Sequence, residues 1–393
     1  MKQYRVTFVL PGLSILFPPG GYSVAYQLAH GLNKRGIKTA IIFLRDPSKF
    51  IPDYKPERGA RVFYRLPLDE RRLRKIFDFL FNDKRIKLFY RLRLYKLLKV
   101  DYDHSVLDNV DLYYYSDISA VKLKTDLIVA THWATAYFVN EFLKYSWSKP
   151  LYLVFHSEDE PSYSGMNSAN AEKTYHFSFQ KIVINKVVHE RFKGENPLFF
   201  HIGIDTGFFR LLKDVSGRGN TVLIPLRADE SKGARYAIEC IRKLLDYYGG
   251  GGIKIITFGD YEPQEIPVDV KDRIEHHFRP TNKELLGLYN ESCIFVLPSL
   301  VEGMGLTPLE AMACGCAVVV TDCGGTREYI VDGVNGLVCP IKDAECLFNK
   351  VLYLLNNESK RKEIVGNGLK TAKQFNYEQM VEDFLKIINQ YLD

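Results

Sequence analysis

Two carboxylates, Glu302 and Glu310, stand eight positions apart with Gly303 and Gly305 between them, in the run CIFVLPSLVEGMGLTPLEAMACGCAVVVTDCGGTREYIVDGVNGLVCP from Cys293 to Pro340. Glycines let backbone N–H groups approach a ligand closely, and a helix N-terminus favours negative charge. Carboxylates accept hydrogen bonds from hydroxyls. The pattern suits a phosphorylated ligand whose hydroxyls are held by carboxylates.

The elements that position these groups can be read locally. Apolar Cys293 to Leu297 predicts a buried strand that Pro298 and Ser299 end. Thr307 is a suitable N-cap, Pro308 suits the first helical position, and Glu310 falls at capping-box spacing, so Glu302 is expected in the loop and Glu310 in the first helical turn. Earlier, Arg5 to Leu10 predicts a strand, followed by a loop with Pro18, Pro19, Gly20 and Gly21, a helix from about Ser23 to Lys34 closed by Gly36, and a strand from Lys38 to Leu44. This is a βαβ unit whose glycine-bearing loop points at the ligand edge of a parallel sheet. Further strands are expected at Asp126–Ala130, Leu151–Phe155 and Lys181–Ile184. The pattern restarts with strands at Thr221–Leu226 and Ile253–Phe258, and no internal repeat is present.

The Cys293–Pro340 segment resembles the signature of retaining, nucleotide-sugar-dependent glycosyltransferases of the GT-B fold, in the large Glu-x7-Glu family (family four, group 1). The likeness continues through Gly324, Gly325, Glu328, Gly333, Asn335 to Val338, and Pro340. It implies an α/β fold of two Rossmann-like domains whose parallel sheets face across a cleft. Residues 1–200 would form the acceptor-binding domain and 201–377 the donor-binding domain, with HIGIDTGFF near the connection and the helix 378–393 packing back on the first domain.

The resemblance implies roles for particular residues. Arg227 and Lys232 straddle the loop LRADESKG, so both cations can reach a diphosphate at a helix N-terminus and stabilise the leaving group; a solvated pair near Asp229 and Glu230 is the alternative. Glu310 would accept from the ribose hydroxyls and Glu302 would contact the donor sugar. The amides of Gly303, Met304, Gly305 and Leu306 would hold the sugar or distal phosphate, with the base near His277 to Pro280, including Arg279. His132, at the end of the strand DLIVA, would touch the donor sugar, and Gly20 and Gly21 would approach the diphosphate. His156, which precedes the acidic run Ser157 to Glu160, would help bind the acceptor, a polar loop being the alternative. Catalysis would fall to Glu302, His132, Arg227 and Lys232. The donor is a nucleoside-diphosphate sugar, no cofactor is expected, and no metal is expected because no D-x-D cluster follows a strand where a diphosphate would need it. HWATA and EDEPSY resemble rhamnosyltransferase-like members, so the sugar transferred would be a hexose or a deoxyhexose. Other sugar-nucleotide chemistry on the same scaffold, such as epimerisation, and a silent sugar-nucleotide-binding subunit are the competing readings.

Composition fits a globular chain: of 393 residues, 46% are hydrophobic and 25% charged. No run of eighteen apolar residues exists, and MKQYRVTFVLPG passes straight into a strand and turn. Neither a signal peptide nor a transmembrane helix is therefore expected, and a cytoplasmic location is. The seven cysteines are read as reduced thiols. Net charge is +6, but residues 65–99 carry twelve Lys/Arg against four Asp/Glu. There Leu73, Ile76, Phe77, Leu80 and Phe81 fall at helical spacing among Arg71, Arg72, Arg74 and Lys75. The stripe suits either an anionic membrane surface presenting a lipid-linked acceptor or packing on its own domain. No nucleic-acid-binding module accompanies the charge.

Overall fold

The computed structural model describes residues 4–12, 20–44, 46–54, 107, 109–115, 123–159, 164–249 and 251–392. The basic 65–99 segment with its aromatic stripe lies outside the described residues, as do Pro18, Pro19 and Glu160. The chain divides into two compact units. The first comprises Met1–Ile184, Val188–Phe200 and Val381–Asp393, and the second Asn185–Val187 and His201–Met380.

The first unit holds a sheet of β1 (Arg5–Leu10), β2 (Lys38–Leu44), β3 (Asp111–Tyr115), β4 (Leu127–Ala130), β5 (Lys149–Val154), β6 (Gln180–Val183) and β7 (Leu198–Phe199), ordered β3-β2-β1-β4-β5-β6-β7. Every pairing is parallel, with Phe8 opposite Ile41 and Val129. Apart from β3, the strands are nearly continuous apolar runs, as expected where helices cover both faces of a sheet. The helix after β1 spans Gly20–Lys34, so it begins three residues before the expected Ser23. A Cβ on Gly21 would lie 3.4 Å from the Phe155 ring, whereas at Gly20 it would meet nothing within 4 Å. The closing helix Tyr377–Leu392 buries Phe384 against Phe8 and Phe200, and its Glu382 pairs with Arg35 at 2.7 Å.

The second unit repeats the plan with β8 (Thr221–Pro225), β9 (Lys254–Gly259), β10 (Glu275–Phe278), β11 (Ile294–Leu297), β12 (Ala317–Thr321) and β13 (Leu337–Cys339), ordered β10-β9-β8-β11-β12-β13 and parallel throughout. Its helix Ala234–Tyr247 buries Ala237, Ile238, Ile241, Leu244 and Leu245, one stripe at helical period, and leaves Arg235, Glu239 and Arg242 in solvent. In each unit the strand order reverses beside the first strand: between β1 and β4, and between β8 and β11. Ligands of open parallel sheets bind at the carboxyl ends of strands flanking such a reversal. Among the described residues no helix is long and apolar enough to cross a membrane.

The reading of all seven cysteines as thiols is corrected. Cys339, at the end of β13, and Cys346, in the first turn of the helix Ala344–Asn356, form a disulfide. The turn Pro340–Asp343 folds the chain back sharply enough to bring their Cα atoms to 5.7 Å. The other five are buried thiols.

Candidate functional site

In the second unit, the loops after β8 and β11 meet at the reversal of strand order. Gly233 has φ 68°, and a Cβ there would fall 2.0 Å from the Pro298 carbonyl oxygen, so only glycine lets the two loops touch. The Leu300 N–H donates to Ser231 O at 2.7 Å, which ties the loops together. Lys232 then reaches across: its Nζ lies 3.1 Å from Glu302 Oε2 and 3.2 Å from Val301 O. Ser299 Oγ donates to Glu302 Oε1 at 2.7 Å. The Glu302 backbone is fixed from the other side, its N–H on Cys323 O and its carbonyl accepting the Gly325 N–H at 3.1 Å. Gly325 makes that approach possible, since a Cβ would lie 2.2 Å from Gly303 O.

Glu310 does not take part in the capping box expected with Thr307. The helix spans Leu306–Ala313 and is capped by Gly305 at φ 72°, with no side-chain cap. Thr307 and Pro308 are therefore its second and third residues, and no Thr307 capping box forms. The left-handed glycine, whose carbonyl accepts from the buried Tyr329 hydroxyl, starts the helix before Thr307 can cap it. Released from capping, Glu310 Oε2 accepts from Tyr289 Oη at 2.9 Å. Burial pushes its carboxyl up to about 7, while the Tyr289 hydrogen bond and the Arg227 charge pull the other way. Arg227 is exposed at the end of β8. Arg279, after β10, is left-handed at φ 48°, donates its N–H to Gly259 O at 2.6 Å and lays its guanidinium over the Phe278 ring. Glu310 was expected in the first helical turn but is the fifth residue of the helix Leu306–Ala313, one turn further in, because the helix starts at Leu306. Arg227, Lys232, Arg279 and Glu302 stand at carboxyl ends of strands or in the loops that follow. Gly303, Met304 and Leu306 complete the loop, Met304 being buried.

Sequence reasoning missed Tyr289. Leu285, Leu288 and Tyr289 are buried on one face of the helix Asn282–Glu291. Only the hydroxyl distinguishes Tyr289, and a buried phenol needs a partner.

In the first unit, His132 caps the helix Trp133–Phe142 and its Nδ1 accepts from the Ala134 N–H at 3.1 Å. Burial, helped by the charge of His156, lowers its pKa to about 3, so the imidazole is neutral. His156 is half-buried after β5. Glu158 is 1% exposed, accepts from the Tyr152 hydroxyl and from the Trp133 N–H, and is pushed by burial to about 8. Asp159 pairs with Arg191. Gly20 and Gly21 open the helix after β1.

Residues 215–371 match the family described as Glycosyl transferases group 1. An uncharacterized glycosyltransferase of Methanocaldococcus jannaschii is 34% identical over 115 residues, 29% of this chain and 33% of that protein. The N,N'-diacetylbacillosaminyl-diphospho-undecaprenol alpha-1,3-N-acetylgalactosaminyltransferase of Campylobacter jejuni is 27% identical over 229 residues, 58% of this chain and 60% of that protein. The chain thus spans a third and three fifths of the lengths of these two relatives. Anabaena HepE, solved with UDP and glucose, superposes with a TM-score of 0.69 at 15% identity, over 99% of this chain and 100% of that one. At that identity the likeness speaks for the fold, which is GT-B: two Rossmann-like α/β halves, each with a parallel sheet.

Proposed function

We propose that the protein is a group 1 glycosyltransferase that moves a sugar from a nucleoside-diphosphate sugar to a glycan or lipid-linked acceptor with retention of configuration. The observation that carries the reading is the grouping of Lys232, Glu302, Glu310 and Arg227 around the reversal of strand order between β8 and β11. Arg227 and Lys232 meet the diphosphate and stabilise the negative charge that grows on it as the sugar C1–O bond breaks. Glu302, held by Ser299 and Lys232, takes hydroxyls of the donor sugar, and Glu310 takes those of the ribose. The backbone of Gly303 to Leu306 and the following helix N-terminus receive the sugar or distal phosphate. Arg279 would meet the base. Neutral His132 contributes a hydrogen bond to the donor sugar rather than a positive charge, Gly20 and Gly21 approach the diphosphate, and His156 meets the acceptor. The charge balance is met by Arg227 and Lys232 without a metal, and the acceptor attacks from the leaving-group side while a donor phosphate oxygen takes its proton.

The domain boundaries proposed are 1–200 and 201–377, with 378–393 returning to the first. The diphospho-undecaprenol in the Campylobacter relative's name supports a lipid-linked acceptor and synthesis of surface polysaccharide or glycoconjugate. The 65–99 segment would then rest on an anionic membrane. Co-sedimentation with anionic but not neutral vesicles, weakened by salt, is expected; indifference to anionic vesicles at low salt would remove that element alone.

A thermal-shift screen against UDP, GDP, dTDP and their sugars tests the donor reading. A ligand at a hundred times its dissociation constant should stabilise by about 2.7 kcal/mol. No shift with any of them would overturn the reading.

A further inference from the structure

Glu310 projects from the helix that the glycine loop leads into, and an unrestrained glutamate there would lose rotamer freedom on binding a ligand. Tyr289 removes much of that freedom beforehand. Its ring is fully buried, with Phe209, Phe258 and Phe295 set edge-on around it at centroid distances of 6.0, 6.3 and 5.7 Å. Its backbone is held as firmly. The Tyr289 carbonyl accepts from Arg218 Nη1 at 3.1 Å and from Cys316 Sγ at 3.1 Å. The same buried guanidinium donates through Nη2 to Cys314 O at 2.7 Å, just past the end of the helix that carries Glu310. One arginine therefore ties the carboxyl ends of both helices together, which fixes the Tyr289 hydroxyl relative to the Glu310 backbone.

We infer that Tyr289 is the positioning residue for Glu310: its hydroxyl holds Oε2 and leaves the remaining carboxylate lone pairs aimed at a vicinal diol of the ligand. The inference rests on the reading that Glu310 receives the donor's ribose. A phenol hydrogen bonded to a carboxyl in this way favours the ionised, acceptor-only form, which is the form a pair of donating hydroxyls needs. The groups facing Glu310 are Tyr289, Arg227, Cys314 and Tyr329. The Cys314 thiol is pushed up to about 12 by burial, and both phenols are raised far above their usual range by burial. Between pH 6 and 8.5, Glu310 is thus the member of this cluster that titrates. Affinity should rise with pH through its pKa, and loss of the Tyr289 hydroxyl should move that rise to higher pH.

Calorimetric titration of UDP-glucose, GDP-mannose and dTDP-glucose from pH 6 to 8.5 tests this in wild type, Tyr289→Phe and Glu310→Gln, with melting temperatures measured in parallel. Tyr289→Phe keeps the ring and its packing. Because the Tyr289 hydroxyl holds Glu310 ionised, affinity for the nucleotide sugar that binds should fall several-fold at pH 7 and return nearly to wild type at pH 8.5. Glu310→Gln should be weak at every pH. If Glu310→Gln binds weakly while Tyr289→Phe keeps the wild-type midpoint, the positioning role of Tyr289 is overturned and the ribose reading stands. If Glu310→Gln binds as wild type does, the ribose reading falls and takes the inference with it.

Discussion

Replacing Glu158 by Gln should change how the stability of the first unit depends on pH. Glu158 is almost completely buried under the N-terminus of the helix Trp133–Phe142, and burial raises its carboxyl from 4.5 to about 8. A carboxyl whose pKa is higher in the folded state binds its proton more tightly there. Its contribution is fully present below pH 4.5 and is lost as pH rises through about 8. The whole shift corresponds to at most about 4–5 kcal/mol, of which roughly 3–4 falls between pH 5 and 8. His132 acts in the opposite direction. Its pKa is lowered from 6.5 to about 3, so its contribution is lost as pH falls below about 6.5. The wild-type curve alone mixes the two, but the difference between wild type and Glu158→Gln isolates Glu158, because a glutamine carbonyl can still accept from Tyr152 and does not titrate. Urea unfolding at pH 5, 6, 7 and 8 reads that difference. The variant should gain on wild type by about 3 kcal/mol across the range, and parallel curves would refute a buried, neutral Glu158.

Two further substitutions probe the second unit. Arg218→Met removes a buried guanidinium that donates to the carbonyls of Lys213, Tyr289, Ser292 and Cys314. Leaving buried carbonyls unpaired should cost about 3–5 kcal/mol in urea unfolding, and a loss below about 1 kcal/mol would show that the clamp carries little. Cys346→Ser opens the Cys339–Cys346 disulfide, which closes a short loop of sequence separation 7. It should cost about 2–3 kcal/mol without reductant and far less once wild type is reduced; equal loss in both conditions would contradict a disulfide.

The regular parts of the fold were legible because buried parallel strands are written as apolar runs. β1 and β2 came out at their expected bounds, and β8, β9 and β11 within a residue or two. β3 was missed because the tyrosines of DLYYY give neither an apolar run nor a clean alternation. Helix starts went wrong where glycine decided them. At Leu306 a left-handed Gly305 overrode a good Thr-Pro cap, and that error hid Glu310's real partner. Which cysteines pair could not be read from an odd set of seven, since pairing depends on a turn geometry that spacing does not encode. The burial of Glu158 could not be read from the acidic run that holds it, because it comes from Tyr152 and from Trp133 at the start of a helix earlier in the chain. Motif and spacing singled out the loop carboxylate Glu302 and the cations Arg227 and Lys232; the Lys232–Glu302 ion pair could not be read from them.

The central claim is that the second unit receives a nucleoside-diphosphate sugar in parts: ribose at Glu310, diphosphate at Arg227 and sugar at Glu302. Calorimetry with the nucleoside diphosphate and its sugar on Glu310→Gln, Arg227→Ala and Glu302→Gln separates those parts. The first two variants should weaken binding of the bare nucleoside diphosphate about tenfold or more, the loss of one charge-assisted contact. Glu302→Gln should leave that affinity near wild type while lowering sugar-nucleotide turnover. Unchanged nucleotide affinity in all three variants, with each still folded, would contradict the assignment of the donor site.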